Sequence, residues 1–285
     1  MPHFIRALFL VFSAFVLAAC SSTPSTDSKS LRLYVLDCGA IDSMDVSMFQ
    51  GKGIGKGEHK KLVDSCYLIV HPNGTLLWDA GLPDSLVSKP NGQPVWDGAF
   101  VLHVNKTLAA QLKEIGYNPE SIRYVGISHM HLDHIGNVDL VPRATLLIQK
   151  EEYDAAFGSE PNKYGFDPTG YPTLRANPVK KLEGDYDVFG DGSVVIKRLL
   201  GHTPGHQGLY IKLPKTGNIL LSGDLVHFTD NWTHKRVPDF NFDKAQSAKS
   251  LNDVEKFLKT NNATLWIQHD LEQNAAIKHA PAYYE

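Results

Sequence analysis

The sequence has few cysteines, no excess of charge of either sign and a single long apolar run. Its 285 residues include 3 cysteines, 28 lysines and arginines, and 31 aspartates and glutamates, for a formal net charge of −3. The absence of paired thiolates argues against a structural zinc finger. The near-neutral charge argues against a nucleic-acid-binding protein, which usually has a strong basic excess. With 42% hydrophobic residues, the composition is typical of a globular protein with one large domain or two small ones.

The long apolar run, ALFLVFSAFVLAA, follows MPHFIR at the N-terminus and ends at Cys20. It has the length of a signal-peptide core and is too short to span a bilayer comfortably. The segment LAAC resembles the lipobox of bacterial lipoproteins, in which the cysteine is lipidated and becomes the mature N-terminus. We therefore expect a signal peptide over 1–19, a lipidated Cys20 with a flexible tether over 20–30, and a single folded domain over 31–285.

This resemblance implies a lipid-anchored protein of the cell envelope. Ser21, which follows the cysteine, favours the outer membrane, with the folded domain facing the periplasm. An ordinary signal peptide with a chance cysteine is the alternative.

Two cysteines, Cys38 and Cys66, remain in the folded part, each near an end of a predicted strand. The first expectation for them is two small buried thiols. A disulfide is the alternative, because an exported protein reaches an oxidising compartment.

Apolar runs, turn signals and helical spacing together predict a layered α/β chain. The predicted elements include a strand ending at Gly39, a long loop over 40–61, a hairpin turning at Asn73, a helix stopping at Gly116, a second long loop over 158–178, and a helix from Asp243 to about Asn261. The helix stop at glycine and the aspartate cap are typical helix-boundary signals.

Candidate ligands recur where the apolar strands stop, at Asp79, His129, His206, Asp224 and His269. In α/β folds, sites are built at strand ends that share one edge of a sheet. Histidines scattered through a core would not share that position. The sequence therefore predicts a site at one edge of the fold.

The segment Ser128–Val141, SHMHLDHIGNVDLV, concentrates metal-binding side chains directly after an apolar strand. Residues two apart point the same way in an extended segment, so His129 and His131 can reach one ion together. Asp133 and His134 follow after the chain turns and can serve a second ion. Imidazole nitrogens and carboxylate oxygens suit zinc, and the same donors accept iron, cobalt or manganese.

HMHLDH resembles the H-x-H-x-D-H motif of the metallo-β-lactamase fold, and GHTPGH with the later Asp224 and His269 is similar to the rest of that family's ligand series. The resemblance implies a four-layer αββα sandwich with two divalent metal ions, zinc first. The implied ligands are His129, His131 and His206 on the first ion, Asp133, His134 and His269 on the second, and Asp224 between them. In this assignment His202 shapes the turn and is not a ligand, and Asp79 accepts a hydrogen bond from a ligand histidine.

Several segments are similar to the acyl-homoserine-lactone lactonase branch, the enzymes that open quorum-sensing lactones: CYLIVHPNGTLLWDAGLPDS, EYDAA, EGDYDV, HTPGHQ and HDLEQ. This resemblance implies a metal-dependent hydrolase of a carboxylic ester bond, with two cations about 3.5–4 Å apart that hold a hydroxide oriented by Asp133. Well-known members place a tyrosine three residues after the bridging aspartate, where this chain has His227. Either His227 donates a proton to the leaving oxygen, or it only spaces the loop.

Other functions stay open on the same metals: hydrolysis of other lactones, thioesters or β-lactams, a redox reaction on iron, or non-catalytic metal binding by a lipoprotein. Family thioesterases carry a C-terminal substrate domain, which we do not expect after His269. The acyl chain is expected in an apolar groove between the two long loops, with candidates Met44, Met48, Phe49, Phe157 and Tyr164. A homodimer formed through the first long loop is a family expectation.

Overall fold

The computed structural model describes Met1 and residues 30–51 and 53–285. The predicted signal peptide beyond Met1, and Cys20, lie outside the described residues. The strands are β1 (Arg32–Ser43), β2 (Lys60–His71), β3 (Gly74–Trp78), β4 (Gln93–Val95), β5 (Phe100–His103), β6 (Tyr124–Gly126), β7 (Thr145–Gln149), β8 (Val179–Leu182), β9 (Tyr186–Asp187), β10 (Val194–Arg198), β11 (Gln207–Leu213), β12 (Gly217–Leu221) and β13 (Ala263–Trp266).

The α-helices are α1 (Ser47–Gln50), α2 (Leu108–Glu114), α3 (Leu132–Ile135), α4 (Lys150–Ala156), α5 (Thr229–His234), α6 (Lys244–Asn261) and α7 (Leu271–Ala275). None of these described helices is both long and apolar enough to cross a membrane. As predicted, Asp243 caps α6 by accepting a hydrogen bond from the Gln246 amide.

The strands form two sheets. The first has eight strands in the order β4-β5-β1-β2-β3-β6-β7-β8, and the second has five in the order β13-β12-β11-β10-β9. Within the first sheet, β3, β6, β7 and β8 run parallel, and in the second β12 and β13 run parallel. Parallel neighbours bring their carboxyl ends to the same edge, which is the arrangement the predicted site needs.

Side chains alternate across β1, and this alternation builds the layers. Leu33 and Val35 pack into the cluster between the two sheets, whereas Tyr34 and Leu36 pack into the cluster that covers the other face with α2. The outer face of the second sheet packs against α6. The order is helix, sheet, sheet, helix, so the predicted four-layer αββα sandwich is confirmed.

The first long loop is shorter than the predicted 40–61. β1 continues past Gly39 to Ser43, and β2 begins at Lys60. The extension of β1 pairs on one side with β2 and on the other with β5, which lies far along the chain. Pairing with a distant strand, which no local pattern reports, keeps this segment extended.

Cys38 and Cys66 form a disulfide between β1 and β2, with Cα atoms 5.7 Å apart. The expectation of two free buried thiols is therefore wrong. The pairing register shifts between Asp37 and Gly39, so Cys38 lies at a bulge of β1. This bulge, which the sequence pattern did not predict, accompanies the pairing of the two cysteines across adjacent strands.

Candidate metal centre

The candidate ligands come from loops that follow the strands at one edge of the two sheets. His129, His131, Asp133 and His134 follow β6, and Asp224 lies just after β12. The loop from β10 to β11 carries GHTPGH, and the segment after β13 carries the last histidine. The structure therefore brings these segments together at one edge, as the sequence predicts.

The first group of possible ligands contains His129, His131, His202 and Asp224, whose donor atoms lie within 4.8 Å of one another. His129 Nε2 lies 2.9 Å from His131 Nδ1, and His202 Nε2 lies 3.2 Å and 3.1 Å from the same two atoms. Three imidazoles and one carboxylate that approach one another in this way form a donor set of the kind that zinc binds.

The second group contains Asp133, His134 and His269. The Asp133 carboxylate lies 3.8 Å from the Nε2 atoms of both histidines, one oxygen towards each. Asp133 is also the most solvent-accessible side chain of this group, at 22% exposure, which places it at the mouth of the site.

Asp224 joins the two groups through its two carboxylate oxygens. Its Oδ2 faces the first group, 3.4 Å from His202 Nε2 and 3.7 Å from His129 Nε2. Its Oδ1 faces the second group, 3.0 Å from His269 Nε2 and 3.3 Å from His134 Nε2. One carboxylate shared in this way can bridge two cations.

The ring nitrogens that point away from the site are held by other groups. His134 Nδ1 lies 3.0 Å from Asp79 Oδ2, and His269 Nδ1 lies 2.7 Å from the Val63 carbonyl oxygen. On the first side, Tyr164 supplies its carbonyl oxygen to His131 Nε2 at 3.0 Å. Each of these acceptors takes an N–H and leaves the other nitrogen of its ring as a lone-pair donor towards the site. As predicted, Asp79 accepts a hydrogen bond from one of the candidate ligand histidines, His134.

His206, which the sequence analysis predicted as a ligand, belongs to neither group. Its Nδ1 donates to the Leu199 carbonyl at 2.8 Å, and its Nε2 accepts from the Asp224 amide at 2.9 Å. Both nitrogens are occupied by the main chain, so none is left for an ion. The structure places His202, and not the predicted His206, in the first donor group, and His206 contacts the backbone of Asp224.

Several buried polar atoms at the site have no hydrogen-bond partner among the described residues, namely His134 Nε2, Asp224 Oδ1 and His227 Nδ1. Unpaired buried polar atoms are costly and need an explanation. The first two lie 3.3 Å apart without forming a hydrogen bond. A cation beside them would satisfy both, so the residues present fit a metal ion.

The pKa shifts of the histidines at the site also fit a bound metal ion. Burial lowers the pKa of His129 and of His202 well below the usual value, which keeps both rings neutral and able to ligate. Burial also opposes charge on His134 and His269, but the Asp224 carboxylate raises the pKa of His134 well above its usual value and that of His269 to about 9. The carboxylates therefore draw positive charge into the metal-free site, and a divalent ion would supply it.

A family model for the metallo-beta-lactamase superfamily matches residues 61–268. The chain belongs to the metallo-beta-lactamase superfamily. The matched range contains both donor groups except His269, and Asp224 between them.

The chain is similar to N-acyl homoserine lactonase AttM of Azorhizobium caulinodans. The two are 30% identical over 270 residues, which cover 90% of this chain and 99% of the relative. The chain is 32% identical over 234 residues to an N-acyl homoserine lactonase of a Bacillus species, covering 80% of this chain and 89% of the relative. A crystal structure of a quorum-quenching N-acyl homoserine lactone hydrolase matches with a TM-score of 0.76 and 27% identity, covering 89% of this chain and 98% of the other. A lactone hydrolase structure with N-hexanoyl-L-homoserine at its catalytic metal centre matches with a TM-score of 0.76 and 28% identity, covering 89% and 99%.

His227 lies beside the two groups of possible metal ligands, next to Asp224 and His269. Its Nε2 is 3.0 Å from Asp224 Oδ2, and its ring stacks on His269 with centroids 5.7 Å apart. The Phe49 ring covers it at 4.8 Å. A polar ring held against the shared carboxylate faces the same space as the possible ligands.

Sequence reasoning missed two polar residues that support the site. Asn241 accepts a hydrogen bond from His202 Nδ1 through its Oδ1, 3.0 Å away. Glu152 hydrogen-bonds the loops that carry the histidines. Neither residue belongs to a ligand motif, and only the folding of distant segments brings them to the site.

Proposed function

We propose that this protein is a metal-dependent hydrolase that opens the lactone ring of N-acyl-homoserine lactones. The observation that carries the proposal is the Asp224 carboxylate, which presents one oxygen to each of two donor groups. The similarity to lactonases over most of the chain supports the substrate class. Hydrolysis of other lactones, thioesters or β-lactams on the same centre is the alternative.

In this proposal the chain holds two divalent ions, with zinc as the first candidate. The proposed ligands are His129, His131 and His202 for one ion, Asp133, His134 and His269 for the other, and Asp224 shared between them. When bound, such a pair of cations polarises an ester carbonyl and makes water a nucleophile at neutral pH.

The chain's own residues would then manage protons. Asp133, at the mouth of the site, orients the attacking water and accepts its hydrogen bond. Water adds to the carbonyl carbon and gives up one proton, the ring C–O bond breaks, and the released oxygen takes up one proton, so the product is a hydroxy acid with no net proton consumed. In this proposal His227 donates that proton, which its position 3.0 Å from Asp224 Oδ2 supports.

An apolar wall beside the site suits an acyl chain. Phe240 packs edge-on against Phe49 at 5.5 Å and lies 5.8 Å from the His227 ring. Phe242 contacts Tyr164 from the 158–178 loop at 5.4 Å. Phe240 and Phe242 are 42% and 55% exposed, which leaves part of each ring open to a ligand.

Ring opening of an N-acyl-homoserine lactone, followed by product analysis, tests the proposal. Zinc-loaded protein should release the hydroxy acid, and Asp224→Ala should do so no faster than buffer. Asp253→Ala, which removes a surface carboxylate paired with Lys249, is the matched control and should keep full activity. Equal rates for wild type and Asp224→Ala would refute the mechanism, and faster turnover of a thioester or β-lactam would favour the alternative.

We also propose that the mature chain is anchored to the outer membrane through a lipid on Cys20, facing the periplasm. The LAAC segment supports this, and the Cys38–Cys66 disulfide is in keeping with an oxidising compartment. Labelled fatty acid should be incorporated into the wild type and not into Cys20→Ser, which should leave the membrane fraction. An unlabelled wild type would refute the anchor.

A further inference from the structure

Glu152 is a fully buried carboxylate on α4 that lies behind the metal-binding loops. Its Oε1 accepts a hydrogen bond from the Met130 amide at 2.9 Å. Its Oε2 accepts two, from the Thr203 hydroxyl at 2.8 Å and from the Gly205 amide at 2.7 Å. All three partners donate, so both carboxyl oxygens of Glu152 act as acceptors.

The partners of Glu152 lie in the two loops that carry the first donor group. Met130 is the residue between His129 and His131, and Thr203 directly follows His202. The two loops are far apart in the sequence, since 73 positions separate His129 from His202. One carboxylate therefore ties together the backbones that deliver three histidines to one point.

The backbone is shaped to allow this contact. A Cβ added to Gly205 would lie 2.4 Å from the Glu152 amide nitrogen and 2.6 Å from its Cβ, closer than real Cβ atoms come. The glycine thus lets the GHTPGH loop approach α4 and aim its N–H at the carboxylate. Burying a carboxylate lowers the stability of the fold unless hydrogen bonds compensate for the lost water. If the residue at position 152 only filled space, an apolar side chain would stabilise the fold more than a glutamate does.

We propose that Glu152 is a positioning residue for the first metal ion, because it sets the distance between the His129–His131 pair and His202. The inference rests on the proposed metal centre, and it does not depend on which ester is hydrolysed. The three hydrogen bonds of Glu152 go to Met130, Thr203 and Gly205, none of which is a proposed ligand, so its effect passes through the two loops.

Glu152→Gln tests the proposal with almost no change in volume. The glutamine amide has one acceptor oxygen, so whichever way it is turned its NH₂ faces at least one backbone or hydroxyl donor. We expect the first ion to bind about 10- to 100-fold more weakly, with the second ion little affected. Competition with a chelator measures both affinities without substrate, and the absorption of the cobalt-loaded protein reports the geometry of the first site.

Glu151→Gln is the matched control, because the neighbouring glutamate pairs with Arg198 at the surface and is 40% exposed. It should bind both ions as the wild type does. If Glu152→Gln does not fold, Thr203→Val supplies a milder test by removing one donor, and we expect about 2- to 10-fold weaker binding of the first ion. Thr203→Ser keeps the hydroxyl and should restore wild-type affinity.

Unchanged affinity and an unchanged cobalt spectrum in Glu152→Gln, or in Thr203→Val if that variant is needed, would overturn the proposal. An equal weakening of both ions would do the same, because it would indicate general loosening. If the wild type itself binds no metal, the proposed centre fails and the positioning role fails with it. Metal binding without lactone hydrolysis would overturn the proposed substrate and leave the role of Glu152 intact.

Discussion

Replacing His202 and His206 one at a time distinguishes a metal ligand from a structural histidine in the same GHTPGH segment. His202→Ala removes a nitrogen that faces His129 and His131 at 3.2 Å and 3.1 Å. His206→Ala instead removes the partner of two main-chain groups, the Leu199 carbonyl and the Asp224 amide. The two variants should therefore fail in different ways.

The expected magnitudes follow from what each ring contacts. Structural zinc binding of about 10–16 kcal/mol, spread over four ligands, is about 2.5–4 kcal/mol per ligand, or about 70- to 900-fold in Kd. We expect a loss of this size for the first ion in His202→Ala. Its metal-free stability should fall by only about 1–3 kcal/mol, since one buried acceptor, on Asn241, loses its donor.

His206→Ala leaves two buried main-chain groups unpaired, which should cost about 2–6 kcal/mol of unfolding free energy. Its loss of affinity for the first ion should be smaller than that of His202→Ala, because both nitrogens of His206 already bond the main chain. Chelator competition measures the affinities, and urea unfolding of the metal-free proteins measures the stabilities. The reasoning is refuted if His206→Ala loses an ion while His202→Ala still binds two tightly.

Four further outcomes are expected. The double variant Cys38→Ser/Cys66→Ser should lose about 3.6 kcal/mol of unfolding free energy, because the disulfide closes a loop with a sequence separation of 28. Urea denaturation measures this loss, and an unchanged unfolding midpoint would contradict the prediction. His227→Phe should lower kcat for lactone opening about 10²-fold while two zinc ions per chain are kept, and His227→Tyr should recover most of the rate; full activity of the phenylalanine variant would make His227 a spacer. Asp79→Asn should weaken the second ion about 10- to 100-fold in the chelator assay, since Asp79 holds His134 Nδ1; weakening of the first ion alone would argue otherwise. Asp243→Ala should cost about 1 kcal/mol in thermal unfolding through loss of the α6 cap and should leave metal binding unchanged.

The patterns in the sequence were enough to predict a layered α/β chain and the edge at which the site lies, and the resemblance of HMHLDH and GHTPGH to a known family implied the four-layer sandwich. Local periodicity reports which face of a strand is buried, and strand ends report where loops gather. The short spacing in HMHLDH also fixes how His129, His131, Asp133 and His134 divide between two groups, because these residues are close along the chain. The role of Asp79 could be predicted for a similar reason, since it directly follows β3, the strand beside β6.

Only the tertiary structure decided which histidine of GHTPGH faces the site, that Cys38 and Cys66 pair, and that Glu152 and Asn241 support the ligand loops. Each depends on a contact between segments far apart in the sequence: the Asp224 amide occupies His206, a bulge in β1 accompanies the pairing of Cys38 with Cys66, and α4 packs behind two loops. Sequence spacing constrains neighbours along one strand or turn, whereas these contacts are set by how whole elements pack against one another.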